Sequence, residues 1–345
     1  MSELPETFVP GFHDENAVRK MKYNKFGNTG MSVSQLSLGT GGFCLNYGQF
    51  SLEQCKATVL AALKNGINYI DTAPWYGQGV SEEVLGKCLE GIPRRAYYIA
   101  TKVARYEKDP KLMFDFSAKK TRESIDASLK KLKLDYVDVL QVHDIEFAPS
   151  LDIVLNETLP AVLEAQKQGK TRFVGVTGYP VSVLAECIER STVKIDSVLC
   201  YTRLSLLNQT VKEYLPRFKA KNLAIVNAAP HCMGLLSSAG PPEWHPMTQE
   251  IGDVCTEARE FCHKNGVEIG KLALYYALNE DGPHTILVGM NNTELLKCNL
   301  DVLHSGLSDK EKEVYNHVKN NILSKLKKTD WEGVEVAQYW ASVKA

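Results

Sequence analysis

The feature of the sequence that most limits its possible fold is a regular alternation of short apolar segments with segments of helical spacing. The short segments are rich in Val, Ile and Leu, and between them apolar residues recur every three or four positions. Strands that are apolar on both faces belong in a parallel sheet covered by helices. Eight strands are predicted, at residues 34–39, 67–71, 97–102, 136–143, 172–177, 195–201, 223–228 and 285–289.

Eight such units favour a closed α/β barrel, the (β/α)8 or TIM barrel, over an open sheet. An open doubly wound sheet shares the alternation, but it usually carries a GxGxxG turn after its first strand. Here the first strand is followed by Gly39-Thr40-Gly41-Gly42-Phe43. Barrels of this kind often run beyond about 250 residues, so the 345 residues are predicted to form a single domain.

The two ends of the chain do not follow this alternation. Residues 1–20 are predicted to be a polar N-terminal extension, residues 21–325 the barrel and residues 326–345 a C-terminal tail. Residues 22–33 predict an N-terminal β-hairpin that turns at Gly27-Asn28-Thr29-Gly30. The longest irregular stretch, residues 229–249, is predicted to be a functional loop, although a surface insertion would have the same composition.

Charge and cysteine content restrict the possible partners. Lys and Arg total 40 against 41 Asp and Glu, which leaves no global basic field to attract nucleic acid or an anionic membrane. No apolar run approaches the ~20 residues of a membrane span, and the first residues do not resemble a secretory signal. The nine cysteines show no CxxC spacing, so we expect no metal site and reduced thiols. A cytoplasmic (cytosolic) monomer is predicted.

Four ionisable side chains are expected to meet at one end of this barrel. Asp71, Lys102 and His143 lie at the ends of the second, third and fourth predicted strands, and Tyr76 follows in a loop. The active sites of such barrels lie at the C-terminal ends of the strands. Each residue has an ordinary alternative, such as a turn carboxylate, a half-buried phenol, a solvated ammonium or a core imidazole. Their joint placement favours a catalytic centre.

This set of side chains suits carbonyl reduction. Hydride arriving at a carbonyl carbon leaves negative charge on oxygen, and a proton donor is needed there. A phenol with a pKa of ~10 is a poor acid at neutral pH, and a neighbouring ammonium is expected to lower that pKa. A carboxylate would hold the ammonium in place, while a His would orient the substrate. In the reverse direction the same Tyr is the base for alcohol oxidation.

The same residues lie in motifs that resemble the aldo-keto reductase family. The motifs are DTAPWYG at 71–77 followed by Ser81-Glu82 and Leu85-Gly86, IATK at 99–102, LKLDYVDVLQVH at 132–143 and GKTRFVGVT at 169–177. Together the matches span residues 22–305. The resemblance implies an NAD(P)-dependent oxidoreductase in which Tyr76 is the general acid and base, Lys102 and Asp71 adjust its pKa, and His143 orients the substrate.

The resemblance also implies where NAD(P) binds. The contacts would come from the loops after strands one, five, seven and eight, with backbone amides and small residues approaching the pyrophosphate. The implied residues are Gly39, Thr40, Thr177, Gly178, Met233, Gly234, Leu235, Leu236, Gly289, Met290, Asn291 and Asn299.

Three positions depart from the family pattern around the nicotinamide. Thr177-Gly178 replaces a Ser-Asn pair, Val198 stands where strand six usually has Gln, and Ala228 replaces a stacking aromatic. The nicotinamide is therefore expected to be held differently. Lys297 is the basic residue near the start of the last barrel helix, so partners for a 2′-phosphate are few and NAD is preferred over NADP.

Further segments, among them LQVHDIEF at 140–147 and GPPEWHP at 240–246, resemble the branch of the family that oxidises L-galactose at C1 to the lactone with NAD, in plants or in animal relatives. This implies a sugar-sized or aldehyde substrate. Trp75, Asp144 and Trp244 are the candidate substrate contacts, because aromatic platforms suit sugar rings and carboxylates bind hydroxyls. Ordinary loop positions would explain them equally well.

Two other functions are compatible with these residues. One is a redox-sensing or regulatory subunit that binds the dinucleotide and turns over slowly. The other is a barrel of different chemistry, such as an isomerase or aldolase that uses Lys102 as a Schiff-base amine.

Overall fold

A closed barrel of eight parallel strands forms the centre of the protein. The computed structural model describes residues 4–45 and 48–344. Each strand pairs with its neighbours in chain order, and the last strand pairs with the first, which closes the ring. The barrel strands are β3 (Leu36–Gly39), β4 (Tyr69–Asp71), β5 (Tyr98–Val103), β6 (Val137–Val142), β7 (Thr171–Gly178), β8 (Ser197–Tyr201), β9 (Ala224–Ala228) and β10 (Thr285–Gly289). The predicted fold is confirmed.

Helices lie mostly between consecutive strands and cover the outside of the barrel, whereas the first precedes the barrel and the last three follow its last strand. They are α1 (Glu15–Lys20), α2 (Leu52–Lys64), α3 (Val80–Cys88), α4 (Pro110–Met113), α5 (Ala118–Leu132), α6 (Leu151–Ile153), α7 (Leu159–Lys167), α8 (Val181–Arg190), α9 (Val211–Ala220), α10 (Gln249–Lys264), α11 (Ile269–Leu278), α12 (Thr293–Ser305), α13 (Asp309–His317) and α14 (Val334–Lys344). A π-helical segment, Val154–Thr158, joins α6 to α7.

Local capping explains where several of these helices begin. The side chains of Ser51, Ser117 and Thr248 accept from backbone amides in the first turns of α2, α5 and α10. Ser81 has a residue type typical of an N-cap, but it does not cap α3. That helix begins after Gly79, and the buried Ser81 hydroxyl instead donates to the Thr40 carbonyl at 2.8 Å.

The predicted hairpin closes the end of the barrel opposite the strand C-termini. Its strands, β1 (Tyr23–Lys25) and β2 (Ser32–Ser34), pair antiparallel. Phe26, Met31 and Val33 are fully buried against side chains of the barrel interior, and the Phe26 ring lies 5.3 Å from that of Tyr69. The hairpin thus blocks this end of the barrel and leaves the opposite end as the place for a site.

The regions outside the barrel contain structure that the periodicity did not predict. α1 lies in the N-terminal extension, and its N-cap is Asp14. Beyond α12 the chain forms α13, and then a segment that returns over the barrel to α14. Trp331 on this segment is only 1% exposed and stacks on Tyr179, which follows β7 directly. The C-terminal tail therefore packs over the mouth of the barrel.

Candidate active site

Strand register brings the predicted Asp71 and Lys102 together. Asp71 ends β4 opposite Ala100 of β5, and Ala100 belongs to the buried cluster inside the barrel. Side chains alternate along a strand, so Lys102 faces the same interior two residues further on. Its ammonium donates to the Asp71 carboxylate, to the Thr72 carbonyl at 2.8 Å and to Tyr76 Oη at 3.3 Å.

The carboxylate of Asp71 has a second donor that sequence reasoning missed. Gln141 lies opposite Lys102 in the register of β5 and β6, and its Nε2 donates to Asp71 Oδ2 at 2.8 Å. Asp71 and Lys102 are 1% and 2% exposed, so this ion pair is shielded from water. A buried pair with further hydrogen bonds holds its geometry well, which is what a catalytic group requires.

The pKa directions support a charged Lys102 and a neutral phenol at Tyr76. Burial alone lowers the pKa of Lys102, but Asp71 and Tyr76 outweigh it, so its pKa lies above the ordinary value. A lysine held protonated in this way is a poor Schiff-base nucleophile. For Tyr76, burial raises the pKa more than Lys102 lowers it. Lys102 thus lowers the pKa of Tyr76, as expected, but burial outweighs it and leaves the pKa above its ordinary value.

His143 completes the predicted set of four. It follows β6 on the interior side and is 6% exposed. Its ring lies 6.0 Å from that of Tyr76, at an interplanar angle of 89°. Burial, followed by the charges of Lys102 and Arg105, holds the pKa of His143 well below 6.5, so the imidazole is neutral at physiological pH. Its Nδ1 is buried and has no hydrogen-bond partner.

A second charged group, missed from the sequence, lies beside His143. Arg105, three residues after Lys102, donates from Nη1 to Asp144 Oδ2 at 2.6 Å, and the same oxygen lies 3.6 Å from His143 Nε2. Its guanidinium also lies 4.2 Å from the ring centroid of Trp75. A charged residue just past a strand end was the available signal, but the loop conformation that turns Arg105 inward was not predictable.

Two more carboxylates lie near Arg105 and Asp144. Glu146 comes from the same loop as Asp144, and Glu335 comes from α14 in the tail. Burial and then the charge of Asp144 raise the pKa of Glu146 well above its ordinary value. Burial also raises the pKa of Glu335, with Arg105 opposing. The tail thus contributes an acidic group to the mouth of the barrel.

The predicted cofactor residues at the first and last strands lie side by side. Gly39 pairs with Gly289 in the register of β3 and β10, and a side chain at Gly289 would meet no atom within 4 Å. Asn291 donates to the Gly42 carbonyl at 3.4 Å, while Met290 and Asn299 are buried. The Thr40 hydroxyl is used within the protein, because it donates to the Asp71 carbonyl at 3.1 Å.

The predicted pyrophosphate loop forms its own hydrogen bonds. The amides of Gly234 and Leu236 donate to the His231 carbonyl, and that of Leu235 donates to the Cys232 carbonyl. Leu235 and Leu236 are fully buried, whereas Met233 is half-buried with a left-handed φ of 52°. These three amides are therefore not free to bind a phosphate in this conformation.

The nicotinamide side of the predicted site also differs from expectation at one position. Thr177 and Gly178 end β7, where the Thr177 hydroxyl accepts from the Asp144 amide at 3.2 Å. Val198 packs in the layer between barrel and helices, so it does not face the mouth as a substitute for Gln would. Tyr201 ends β8 and is half-buried. Burial and then the charge of Asp144 raise the pKa of its phenol, while the charge of Arg105 opposes them. Tyr201, rather than Val198, is the residue of this strand that borders the site.

The candidate substrate residues fall into two groups. Trp75 and Asp144 both contact Arg105 beside the four central residues. Trp244 lies in the predicted functional loop, is 51% exposed, and stands 6.5 Å from the ring of His245, which in turn packs on Trp331. Within the described residues, no group of His, Cys, Asp and Glu could hold a metal ion, and no helix is long and apolar enough to span a membrane.

Comparison with known proteins places this arrangement in a family. The model of the Aldo/keto reductase family matches residues 35–318. The chain is 39% identical over 284 residues to L-galactose dehydrogenase of Arabidopsis thaliana, covering 81% of this chain and 88% of that protein. It is 30% identical over 289 residues to D-arabinose 1-dehydrogenase of Saccharomyces cerevisiae, covering 78% and 84%.

A solved structure supports the same assignment. The holo form of an aldo-keto reductase from Bacillus halodurans matches with a TM-score of 0.69 and 27% identity, over 86% of this chain and 96% of that one. The chain belongs to the aldo-keto reductase family. It is an oxidoreductase, and the predicted resemblance is confirmed.

Proposed function

We propose that the protein is an NAD(P)-dependent dehydrogenase that oxidises the C1 hydroxyl of a sugar hemiacetal to a lactone, and reduces a carbonyl in the reverse direction. The observation that carries this proposal is the buried Asp71–Lys102 pair with its ammonium 3.3 Å from Tyr76 Oη. The sugar dehydrogenases among the relatives support a sugar substrate.

The proton chemistry falls to Tyr76. Its hydroxyl is the group near Lys102 that can take a proton from a substrate hydroxyl during oxidation and return it during reduction. Lys102 stabilises the phenolate form by its positive charge. Asp71 and Gln141 keep that ammonium in position. His143, held neutral, can hydrogen-bond the same substrate oxygen without adding charge.

The strand ends around Gly39 and Gly289 fit a dinucleotide. Both residues lack side chains at paired positions, and the space above Gly289 is open. When bound, NAD(P) would supply the hydride acceptor for oxidation or the donor for reduction. Ala228 leaves the end of the neighbouring strand β9 small. The contacts implied by the family at Gly234 to Leu236 would require the loop amides to change partners.

Gly289 provides a direct test of this cofactor position. The Cβ of a Gly289→Ala side chain meets no protein atom within 4 Å, so the folded protein should keep its stability. If the dinucleotide crosses this strand end, the variant should bind it with a Kd at least about tenfold higher. The reason is that the dinucleotide can approach the backbone closely only where no side chain is present. Fluorescence titration with NADH measures the Kd. An unchanged Kd would show that the cofactor does not bind against the end of β10.

The surroundings of α12 support a preference for NAD over NADP. Glu294 is exposed in the first turn of this helix and would repel a 2′-phosphate. Lys297 is 78% exposed and already pairs with Asp301 at 2.6 Å. Relative Kd values for NADH and NADPH test this preference, and tighter NADPH binding would refute it.

The substrate is proposed to bind between Tyr76, His143 and the Arg105–Asp144 pair. Trp75 supplies an aromatic surface, and Asp144 an acceptor for sugar hydroxyls. Trp244, exposed in the loop 229–249, is the third proposed substrate contact.

Activity assays with a matched variant test the proposed function. We expect NAD⁺-dependent oxidation of L-galactose or D-arabinose, read as reduced-cofactor absorbance, to fall about 10²- to 10⁴-fold in Tyr76→Phe. The control Tyr315→Phe, on the outer helix α13, should keep full activity. Cofactor binding without turnover of any sugar or aldehyde would favour the slow redox-sensing alternative. Failure to bind either dinucleotide would refute both.

We also propose that the protein acts as a monomer in the cytosol. All nine cysteines are free thiols, the state that a reducing compartment maintains. Sedimentation equilibrium at a mass above the 38.4 kDa of one chain would refute the monomer.

A further inference from the structure

Arg105 lies in the site, yet the proton chemistry does not use it. Its side chain is 15% exposed and is surrounded by the aromatic rings of Trp75, Phe114 and Phe147, at 4.2, 5.1 and 5.4 Å from the guanidinium carbon. Nη1 pairs with Asp144, but Nε is buried without a hydrogen-bond partner. Since a buried guanidinium is costly to desolvate, its presence requires a reason.

Asp144 adopts a backbone conformation that turns its carboxylate toward the reacting groups. Its φ of 49° and ψ of 60° are left-handed, which costs energy for a residue other than glycine. The amide is held by the Thr177 hydroxyl at 3.2 Å. The resulting 3.6 Å between Asp144 Oδ2 and His143 Nε2 is too long for a hydrogen bond. The two groups therefore stand side by side, and each is able to bind an oxygen of a third molecule.

We propose that Asp144, held by Arg105, accepts a hydrogen bond from the substrate hydroxyl on the carbon next to the reacting carbon. This inference rests on the proposed function, in which the reacting oxygen lies at Tyr76 and His143. Hydroxyl oxygens on adjacent carbons lie about one hydrogen-bond length apart, so the second oxygen falls beside the neighbouring group, Asp144. The substrate class is therefore 2-hydroxy aldoses, and 2-deoxy sugars are selected against. Arg105 is a positioning residue, which acts through Asp144.

A second Arg–Asp pair elsewhere in the barrel has a structural role and can be compared with the Arg105–Asp144 pair. Arg94 donates to Asp138 Oδ2 at 2.6 Å and lies over the rings of Tyr97 and Tyr136. Asp138 is also saturated by protein donors, the Ile99 amide and Arg172, both at 2.9 Å. This pair joins the starts of β5 and β6, at the end of the barrel away from Tyr76. It provides a matched control for Arg105.

The test compares three sugars and four proteins by kcat/KM with NAD⁺. The sugars are L-galactose, its 2-deoxy analogue, and its 6-deoxy analogue as a control lacking a remote hydroxyl. The wild type should prefer L-galactose over the 2-deoxy sugar by about 10- to 150-fold, as expected for a hydrogen bond to a charged group. The 6-deoxy sugar should lose less than the 2-deoxy sugar.

The variants decide whether Asp144 and Arg105 cause that preference. In Asp144→Asn the ratio between L-galactose and the 2-deoxy sugar should fall about five-fold or more, because the acceptor loses its charge. Arg105→Lys should lower the same ratio, whereas Arg94→Lys should keep it. A wild-type ratio near one, or an unchanged ratio in Asp144→Asn, would overturn this subsite while leaving the dehydrogenase intact. No turnover of any of the three sugars by NAD⁺-bound wild type would overturn the proposed function as well.

Discussion

Replacing Lys102 with Met should destabilise the protein through the carboxylate that it leaves behind. Met has a similar length and no charge, so the change removes the ammonium without opening a large cavity. Asp71, 1% exposed, would keep the hydrogen bond from Gln141 at 2.8 Å but lose its ion pair. The Thr72 carbonyl would lose its donor as well. Breaking a buried pair on one side costs about 3–5 kcal/mol.

The double variant isolates the electrostatic part of that cost. In Lys102→Met/Asp71→Asn neither of the two positions carries a charge, and the amide can still bond Gln141. We therefore expect the double variant to be more stable than Lys102→Met by about 2 kcal/mol or more. With an m-value of about 3 kcal/mol/M, the single variant should unfold at a urea concentration about 1–1.7 M below wild type.

Urea denaturation followed by circular dichroism measures these midpoints. Activity gives a second measurement, because both variants lack the ammonium that lowers the pKa of Tyr76 and should be nearly inactive. If the double variant were no more stable than Lys102→Met, the Asp71 charge would not be the source of the loss. If Lys102→Met kept wild-type kcat, the proposed role of the ammonium would be refuted.

Three further outcomes are expected. Since burial holds the pKa of Tyr76 above 10, the phenolate fraction and the oxidation rate should rise with pH from about 7 to 10 without a plateau. The neutral His143 should add no ionisation between about pH 6 and 8. A plateau near pH 8 in the pH–rate profile would contradict this expectation. Trp331→Ala should lower the free energy of unfolding in urea by about 3–5 kcal/mol. The reason is that the ring is 1% exposed and packs on the rings of Tyr179 at 5.0 Å and His245 at 4.7 Å. A loss below about 1 kcal/mol would show that the tail does not pack on the barrel. Of the nine free thiols, only the half-buried Cys298 should react quickly with a thiol reagent in the native protein, and rapid reaction of several would contradict the packing.

The positions of strands and helices could be predicted because they depend on local pattern. The hairpin of β1 and β2 followed from its turn residues, and the barrel strands from their continuous apolar composition. The ends of the chain were harder. α14 buries none of its residues fully, so no amphipathic pattern marks it, and its position depends on contacts of the tail with the mouth. The division of the chain at residues 20/21 and 325/326 stays a prediction.

The central residues of the site were predictable for a topological reason. In a parallel barrel every strand ends at the same mouth, so Asp71, Lys102 and His143 had to lie near one another, while the register decided that Asp71 and Lys102 face the interior. The direction of the Tyr76 pKa was not predictable, because it depends on how strongly burial competes with one ammonium. The catalytic roles of the four central residues stay predictions.

The sequence by itself determined the fold, the family and the four central side chains, since these follow from periodicity, strand order and motif. Only the tertiary structure decided that Arg105 and Asp144 lie beside them. Both come from loops in left-handed turns, with φ of 84° at Ala104 and 49° at Asp144, which no local pattern specifies. It also decided that Glu335, 191 positions from Asp144 in the chain, reaches the same mouth. Such contacts depend on packing between distant segments, and therefore appear only when the whole chain is folded.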